Sequence, residues 1–340
     1  MDGLSTAFPS PARSWGPSAF DSSFPNGTEC GTRQRTLGSA IGCVGIGLHG
    51  GRRVSLSLIP APAGTGIVFH RTDLGIDIAA RFDNVVDTRL CTVIGNPDEP
   101  AARVGTIEHL MAALAATGIT NVRVTVDAPE LPILDGSAAN FVFLIDCAGI
   151  VEQDAPAPTI EVLRTVRVEH GEGFCELRPA PLAGLDMSVS IAFDAPAIGR
   201  QALSMGLDGD SFRAEIARAR TFTLAGEVTQ LRAAGLALGG SLDNAVVVDG
   251  DRVLNPGGLR MADEFVRHKL LDAVGDLALA GAAIRGRFVA HRGGHALNNA
   301  LLRALFADAA NWRPVVADLG AASAMAGWQD THPRAAASPF

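Results

Sequence analysis

The sequence predicts an α+β protein made of two related halves, and three observations carry that prediction. The stretch from Thr106 runs helix, strand, turn, helix, and the stretch from Met261 repeats that order. Five residues at the second turn of each stretch, Gly136-Ser137-Ala138-Ala139-Asn140 and Gly294-His295-Ala296-Leu297-Asn298, share Gly, Ala and Asn at one constant offset. The chain has 340 residues of which 47% are apolar, enough for two cores at roughly 100 to 200 residues per domain.

Taken in order, residues 1–33 and 313–340 are rich in Ser, Pro, Gly or Ala without sustained periodicity and are expected to be flexible tails. The first domain is expected over 34–155. It opens with Val54, Leu56 and Leu58 alternating with Ser55 and Ser57, the period of a half-buried strand. Gly45-Ile46-Gly47-Leu48-His49-Gly50 formally matches a dinucleotide-binding fingerprint, but a strand follows it where that fingerprint needs a helix. The glycines therefore belong to a hairpin turn, and a Rossmann fold is set aside. Ile107, Leu110, Met111 and Leu114 mark a helix over 106–117, with Thr106 as its N-cap and Gly118 as its stop. Val122, Val124 and Val126 form the next strand, and the Asp135-Gly136-Ser137-Ala138 turn opens a helix through Phe141, Leu144 and Ile145.

Ala155-Pro156-Ala157-Pro158 suits a linker into a second domain over 158–312. That domain carries a helix over 261–279, a strand over 286–291, a Gly293-Gly294 turn and a helix over 295–306. Extra material near 223–251, with an amphipathic stretch at Leu231 and the strand Val246-Val247-Val248, interrupts the repeat and reads as an insert. Helix faces left apolar by one half can bury against the other, so a cleft between the halves is the expected site.

The net charge of −8 argues against a partner such as nucleic acid, which wants a basic face. Five cysteines, an odd number with no CxxC pair, suggest neither a disulfide framework nor a thiolate zinc site, which points to reducing cytoplasm. A signal-peptide pattern and an uninterrupted run of about 20 apolar residues are both missing, so a soluble, cytoplasmic monomer is expected. Because the chain contains no tyrosine, an oxyanion has to be held by other donors.

His268, Asp272 and Asp276 lie at i, i+4 and i+8 on one helix face. A His and an Asp one turn apart can grip one cation without distorting the backbone, and the N/O donor pair suits catalytic zinc. The plain alternative is a solvated hydrogen-bonded pair. Against it, the aspartates lie amid Phe265, Leu271, Val274 and Leu277, where an unpaired carboxylate is costly. Glu108-His109 offers a third ligand with an acid or base beside it, although a surface Glu next to a packed His is the simpler account of that dipeptide alone. There is no HExxH, which rules out the familiar zinc-peptidase helix. His295 follows two glycines and can meet a cleft, or it can merely start a helix.

Six segments make the pattern specific: Thr106-Ile107-Glu108-His109-Leu110-Met111-Ala112-Ala113-Leu114, Asp135-Gly136-Ser137-Ala138, Ala219-Arg220-Thr221-Phe222, Leu238-Gly239-Gly240-Ser241, His268-Lys269-Leu270-Leu271-Asp272 and Gly294-His295-Ala296-Leu297-Asn298-Asn299. In this order they resemble the signature segments of the UDP-3-O-acyl-N-acetylglucosamine deacetylases, zinc-dependent enzymes of lipid A biosynthesis, over about Arg35 to Leu305. The resemblance implies two related α+β domains packed as a β-α-α-β sandwich, each like domain 2 of ribosomal protein S5. It implies zinc held by His109, His268 and Asp272, Glu108 as general base, and a catalytic imidazole at His295 oriented by Asp276. It further implies that Lys269 and Thr221 contact substrate and oxyanion, that Phe193 and Phe222 line the substrate site with Phe193 stacking on the nucleotide, and that Arg292 faces the diphosphate in place of the usual lysine. The insert is implied to form a passage for the fatty acyl chain. Cys91 is expected to neighbour the metal without ligating it.

The implied substrate is an acylated UDP-sugar and the implied reaction releases acetate from its 2-acetamido group. Two rivals are a non-catalytic nucleotide-sugar or RNA-binding module, and a zinc amidase for another acetylated sugar. The first has no need of a base at Glu108, and the insert disfavours the second.

Overall fold

The computed structural model describes residues 29–318 other than Gly31, Pro97 and Val316, so most of both expected tails lies outside the described residues. At their inner margins the chain forms strands. Glu29–Cys30 pairs in parallel with Ala317–Asp318, and Trp312–Pro314 pairs antiparallel with Thr159–Val162.

Two sheets repeat one plan. In the first, the central strand Val122–Val126 lies between antiparallel Arg53–Pro60 and parallel Ile67–Arg71, with Ile41–Ile46 and Ile76–Ala79 outside them. In the second, Ala283–His291 lies between antiparallel Gly173–Arg178 and parallel Leu185–Ala192, with Val166–His170 and Arg200–Leu207 outside them. Order and strand sense agree position by position, a relationship far deeper than the five-residue match that suggested duplication. Thr159–Val162 then extends the second sheet by pairing in parallel with the start of its central strand.

The period-2 pattern at the first sheet has its expected cause, since Val54, Leu56 and Leu58 are buried while Ser55 and Ser57 face outward. The glycine run ahead of them closes a hairpin, with Gly47 N–H donating to the Arg52 carbonyl at 2.9 Å.

Helices fill the space between the sheets. Glu108–Ala116 packs along Glu264–Ala278, His295–Ala307 packs on the latter and on strands Val166–His170 and Gly173–Arg178, and Ala139–Ala148 packs on the first helix. Every residue from Glu108 to Leu114 is buried, as befits a helix covered on all sides. Side chains of both halves join one continuous apolar cluster. The architecture is thus an α+β sandwich of two related domains with a helical centre.

Several element limits differ from the sequence expectation. Thr106 is not an N-cap: the helix starts at Glu108, Ile107 holds the cap position without a side-chain bond, and Thr106 has a left-handed φ of 56°. For a β-branched residue such a bend costs about 1–3 kcal/mol, and it lies two residues ahead of Glu108. The helix expected from Met261 starts at Glu264. Residues 155–158 run from the strand Ile150–Pro156, which pairs with Arg33–Leu37, into Thr159–Val162.

The insert folds as a helix, Ala225–Ala233, beside a small sheet of Phe222–Leu224, Val246–Asp249 and Arg252–Val253. Its far turn docks on the first-half hairpin, where Leu238 and Gly239 N–H donate to the carbonyls of His49 and Leu48 at 3.2 and 3.0 Å. Among the described residues no helix is long and apolar enough to cross a membrane.

Candidate metal centre and catalytic cleft

Two glycines let the halves meet at backbone distance. A Cβ on Gly275 would overlap the carbonyl oxygen of Glu108, and one on Gly136 would overlap the carbonyl oxygen of Asn244. The first contact seats the start of helix Glu108–Ala116 directly over the turn of Glu264–Ala278 that lies between Asp272 and Asp276. Residues 167 positions apart in sequence thereby share one buried site.

His109, His268 and Asp272 are all buried, and one donor atom from each lies within 4.8 Å of the others. Asp272 Oδ1 is 3.3 Å from His268 Nε2 and 3.7 Å from His109 Nε2. Asp272 Oδ1 is buried with no hydrogen-bond partner, an arrangement that is costly unless something charged completes it. A divalent cation would do so, and two imidazoles with one carboxylate form a donor set that fits it.

The protonation states leave lone pairs available on these donors. Burial drives His268 down to about 3 despite the neighbouring Asp272 charge, so its ring is neutral. Its Nδ1–H donates to the Ala219 carbonyl at 3.1 Å, which leaves Nε2 as the electron-pair donor. Burial would raise Asp272, yet His268 and Lys269 hold it well below the usual carboxylate range. Lys269 Nζ donates to Asp272 Oδ2 at 2.8 Å and lies 5.6 Å over the Phe222 ring.

Beside this cluster stand the other titratable groups. Glu108 is buried, and burial lifts its carboxyl above the ordinary value. His295 Nδ1 is 2.8 Å from Asp276 Oδ2, and its Nε2 faces Glu108 Oε1 at 4.0 Å. Burial alone would lower His295, but the charge and hydrogen bond of Asp276, with Glu108 and Asp272 adding to them, raise it to about 9. The imidazole is therefore cationic at neutral pH. Cys91 is buried nearby, and burial with the Glu108 charge pushes its thiol up to about 12. It is absent from the donor cluster, and an un-ionised thiol is a poor ligand.

The remaining expected residues surround this centre at different removes. Thr221 is half-buried, pinned by its N–H to the Gly136 carbonyl at 2.8 Å, just ahead of the insert strand. Phe222 meets the His268 ring at 6.1 Å and Phe193 at 5.5 Å, both edge-on. Arg292 is not brought to the cluster. It is exposed, pairs with Glu172, and with Arg200, Gln201, Ser190 and His291 lines an open cavity of about 590 Å³. Ile191 lines both this cavity and a small cleft at Asp272 and Lys269, so the two spaces adjoin.

Three supports escaped the sequence reading. Glu264 is fully buried, accepts the Arg220 N–H at 3.0 Å and its guanidinium at 2.8 Å, and so grips the residue next to Ala219. It lies one helical turn before His268, and the i, i+4 spacing of 264, 268, 272 and 276 was visible as a signal. Asn298 Nδ2 and Thr92 Oγ1 both donate to Asp276, at 2.8 and 2.5 Å. Asn298 lies in the Gly294–Asn299 segment, which marks no role for it, and nothing in the sequence marks Thr92.

A buried two-histidine, one-carboxylate cluster that could hold a metal ion, with a carboxylate and a cationic imidazole facing each other beside it, is the arrangement a metal-dependent hydrolase requires, here on a duplicated α+β scaffold. Residues 34–307 match the model of the LpxC family, UDP-3-O-acyl N-acetylglycosamine deacetylase. The UDP-3-O-acyl-N-acetylglucosamine deacetylase of Acidithiobacillus ferrooxidans is 52% identical over 82% of this chain and 92% of the relative. Those of a Shewanella species and of Actinobacillus pleuropneumoniae serotype 3 are 50% and 49% identical over 83% and 82% of this chain, and each alignment spans 92% of the relative. The chain belongs to the UDP-3-O-acyl N-acetylglycosamine deacetylase family.

Proposed function

We propose that this protein, as a cytoplasmic monomer, hydrolyses the 2-acetamido group of a UDP-3-O-((R)-3-hydroxyacyl)-N-acetylglucosamine, releasing acetate and the free amine in lipid A biosynthesis. The observation that carries the reading is the facing pair, Glu108 Oε1 and His295 Nε2 at 4.0 Å, beside the His109, His268 and Asp272 donors. Those three residues would hold zinc. When bound, the cation supplies Lewis-acid polarisation of the amide carbonyl and of the attacking water.

Glu108 takes a proton from that water as its oxygen bonds to the carbonyl carbon, a role for which general bases contribute about 100- to 10,000-fold. The Thr221 hydroxyl stabilises the resulting oxyanion, a task no tyrosine can share in this chain. Collapse breaks the carbon–nitrogen bond, and His295 Nε2 protonates the departing amine while Asp276 holds Nδ1–H. Lys269 keeps Asp272 ionised and presents its ammonium to the substrate.

Phe193 and Arg292 are assigned to the nucleotide end, and Phe222 to the substrate site beside His268. In support, the cavity at Arg292 has the volume of ordinary small-molecule sites. The acyl chain is assigned to the insert, where exposed Leu238 sits against the hairpin that carries exposed Ile46. Acetate release from the acylated UDP-sugar, with metal content determined on the same sample, tests the reading. About one zinc per chain and metal-dependent release are expected, and Asp272→Ala should lose metal while staying folded. Full metal occupancy in a variant with alanine at positions 109, 268 and 272 would overturn the assignment.

A further inference from the structure

Thr92 is 1% exposed and lies between Cys91 and the strand Val93–Asn96, in the first half of the molecule. Its backbone N–H donates to Glu108 Oε2 at 3.0 Å, and its hydroxyl donates to Asp276 Oδ1 at 2.5 Å. One residue thus serves two buried carboxylates that belong to different halves. Each carboxylate keeps its other oxygen for the chemistry: Glu108 Oε1 faces His295 Nε2, while Asp276 Oδ2 takes His295 Nδ1 and Asn298 Nδ2.

We infer that Thr92 is a positioning residue that sets the Glu108 carboxylate and the Asp276–His295 pair relative to each other. The inference rests on the hydrolytic reading above. The hydroxyl fixes one oxygen of Asp276, so the carboxylate plane cannot rotate and Nδ1–H of His295 has one direction to follow. That direction aims Nε2 at the Glu108 side of the cleft. Removing the hydroxyl leaves Oδ1 of a buried carboxylate without its donor, and the carboxylate turns to find another. Thr92 is buried beneath both carboxylates, so the loss falls on turnover and leaves substrate affinity alone.

A packing role and a positioning role order the variants oppositely. Thr92→Val keeps the shape and removes the hydroxyl, whereas Thr92→Ser keeps the hydroxyl and removes the methyl. Positioning predicts that Thr92→Val lowers kcat about 10- to 100-fold, as loss of outer partners of a site does, with KM within about twofold and metal content unchanged. Thr92→Ser should restore most of kcat. A second readout needs neither substrate nor metal: the low-field Nδ1–H proton resonance of His295, assigned by its absence in His295→Ala, should move or broaden in Thr92→Val and stay in Thr92→Ser. If Thr92→Val does not fold, Thr92→Ala against Thr92→Ser gives the same comparison. Wild-type kcat in Thr92→Val, or Thr92→Ser no better than Thr92→Val, overturns the inference. If the wild-type protein releases no acetate, the hydrolytic reading fails and the resonance decides the coupling alone: unchanged in Thr92→Val, it overturns that as well.

Discussion

Gly275 has no side chain where the carbonyl of Glu108 presses against its helix. Glycine inside a helix costs about 1 kcal/mol relative to alanine, and here the close crossing is what that cost secures. Without it the Glu108-His109 dipeptide could not lie over the turn between Asp272 and Asp276.

Gly275→Ala should therefore destabilise the protein despite its better helix propensity, since forcing a methyl into packed backbone costs about 1–3 kcal/mol. The two halves of the metal cluster should separate with it. A melting temperature lower by a few degrees, together with faster metal loss to a chelator, is the expected result. A more stable variant with normal metal retention would show that the crossing has slack.

The dependence of kcat/KM on pH should be bell-shaped. His295 must be protonated to act as acid, and its value is raised to about 9, so activity is present below that pH and falls as pH rises through it. Glu108 must be ionised, and because burial raises it, the acidic limb should lie above the ordinary carboxyl range. His295→Ala should flatten the basic limb and Glu108→Ala the acidic one, both with metal retained. The same His295 shift stabilises the metal-free fold fully below about pH 6.5, and that contribution is lost as pH rises through about 9. Thermal midpoints of the metal-free protein across that interval check the sign.

On the proposed assignment of Arg292 to the substrate diphosphate, Glu172 is a competitor for the same guanidinium. The pair is exposed, and such pairs are worth roughly 0–1 kcal/mol, so Glu172→Gln should lower KM by up to about fivefold with kcat unchanged. Arg292→Ala should raise KM. An unchanged KM in both variants at low salt would remove the diphosphate from this cavity.

Binding energy from a remote apolar group can be used to position the reacting amide. Kinetics with and without the 3-O-acyl chain should therefore differ strongly in kcat/KM. Leu238→Asp should narrow that difference by weakening use of the chain, leaving the non-acylated substrate unaffected. Equal kcat/KM for both substrates in the wild-type protein would take the acyl chain out of the 223–251 segment.

Much of the site could be read from local pattern because its parts are local. His268, Asp272 and Asp276 share a face through helical spacing alone, and Glu108-His109 are adjacent in sequence. The strand at Val54, Leu56 and Leu58 and the hairpin glycines before it likewise follow from period and turn chemistry. Thr106 misled because a threonine ahead of an apolar helix usually caps it, whereas here the tertiary fold bends the backbone to φ 56° to deliver Glu108.

Spacing within short windows was enough to reveal the fold class, the duplication, the helix face that carries the candidate metal donors, and the family the segments resemble. Only packing could show that Glu108 faces His295 at 4.0 Å, that Glu264 grips the segment ahead of Thr221, and that Thr92, holding Glu108 by its N–H, reaches Asp276 across 184 positions. Such pairings arise only where two packed halves press buried polar groups together. Desolvation then compels each carboxylate to find a donor, and the nearest one belongs to whichever strand or helix the packing has brought alongside.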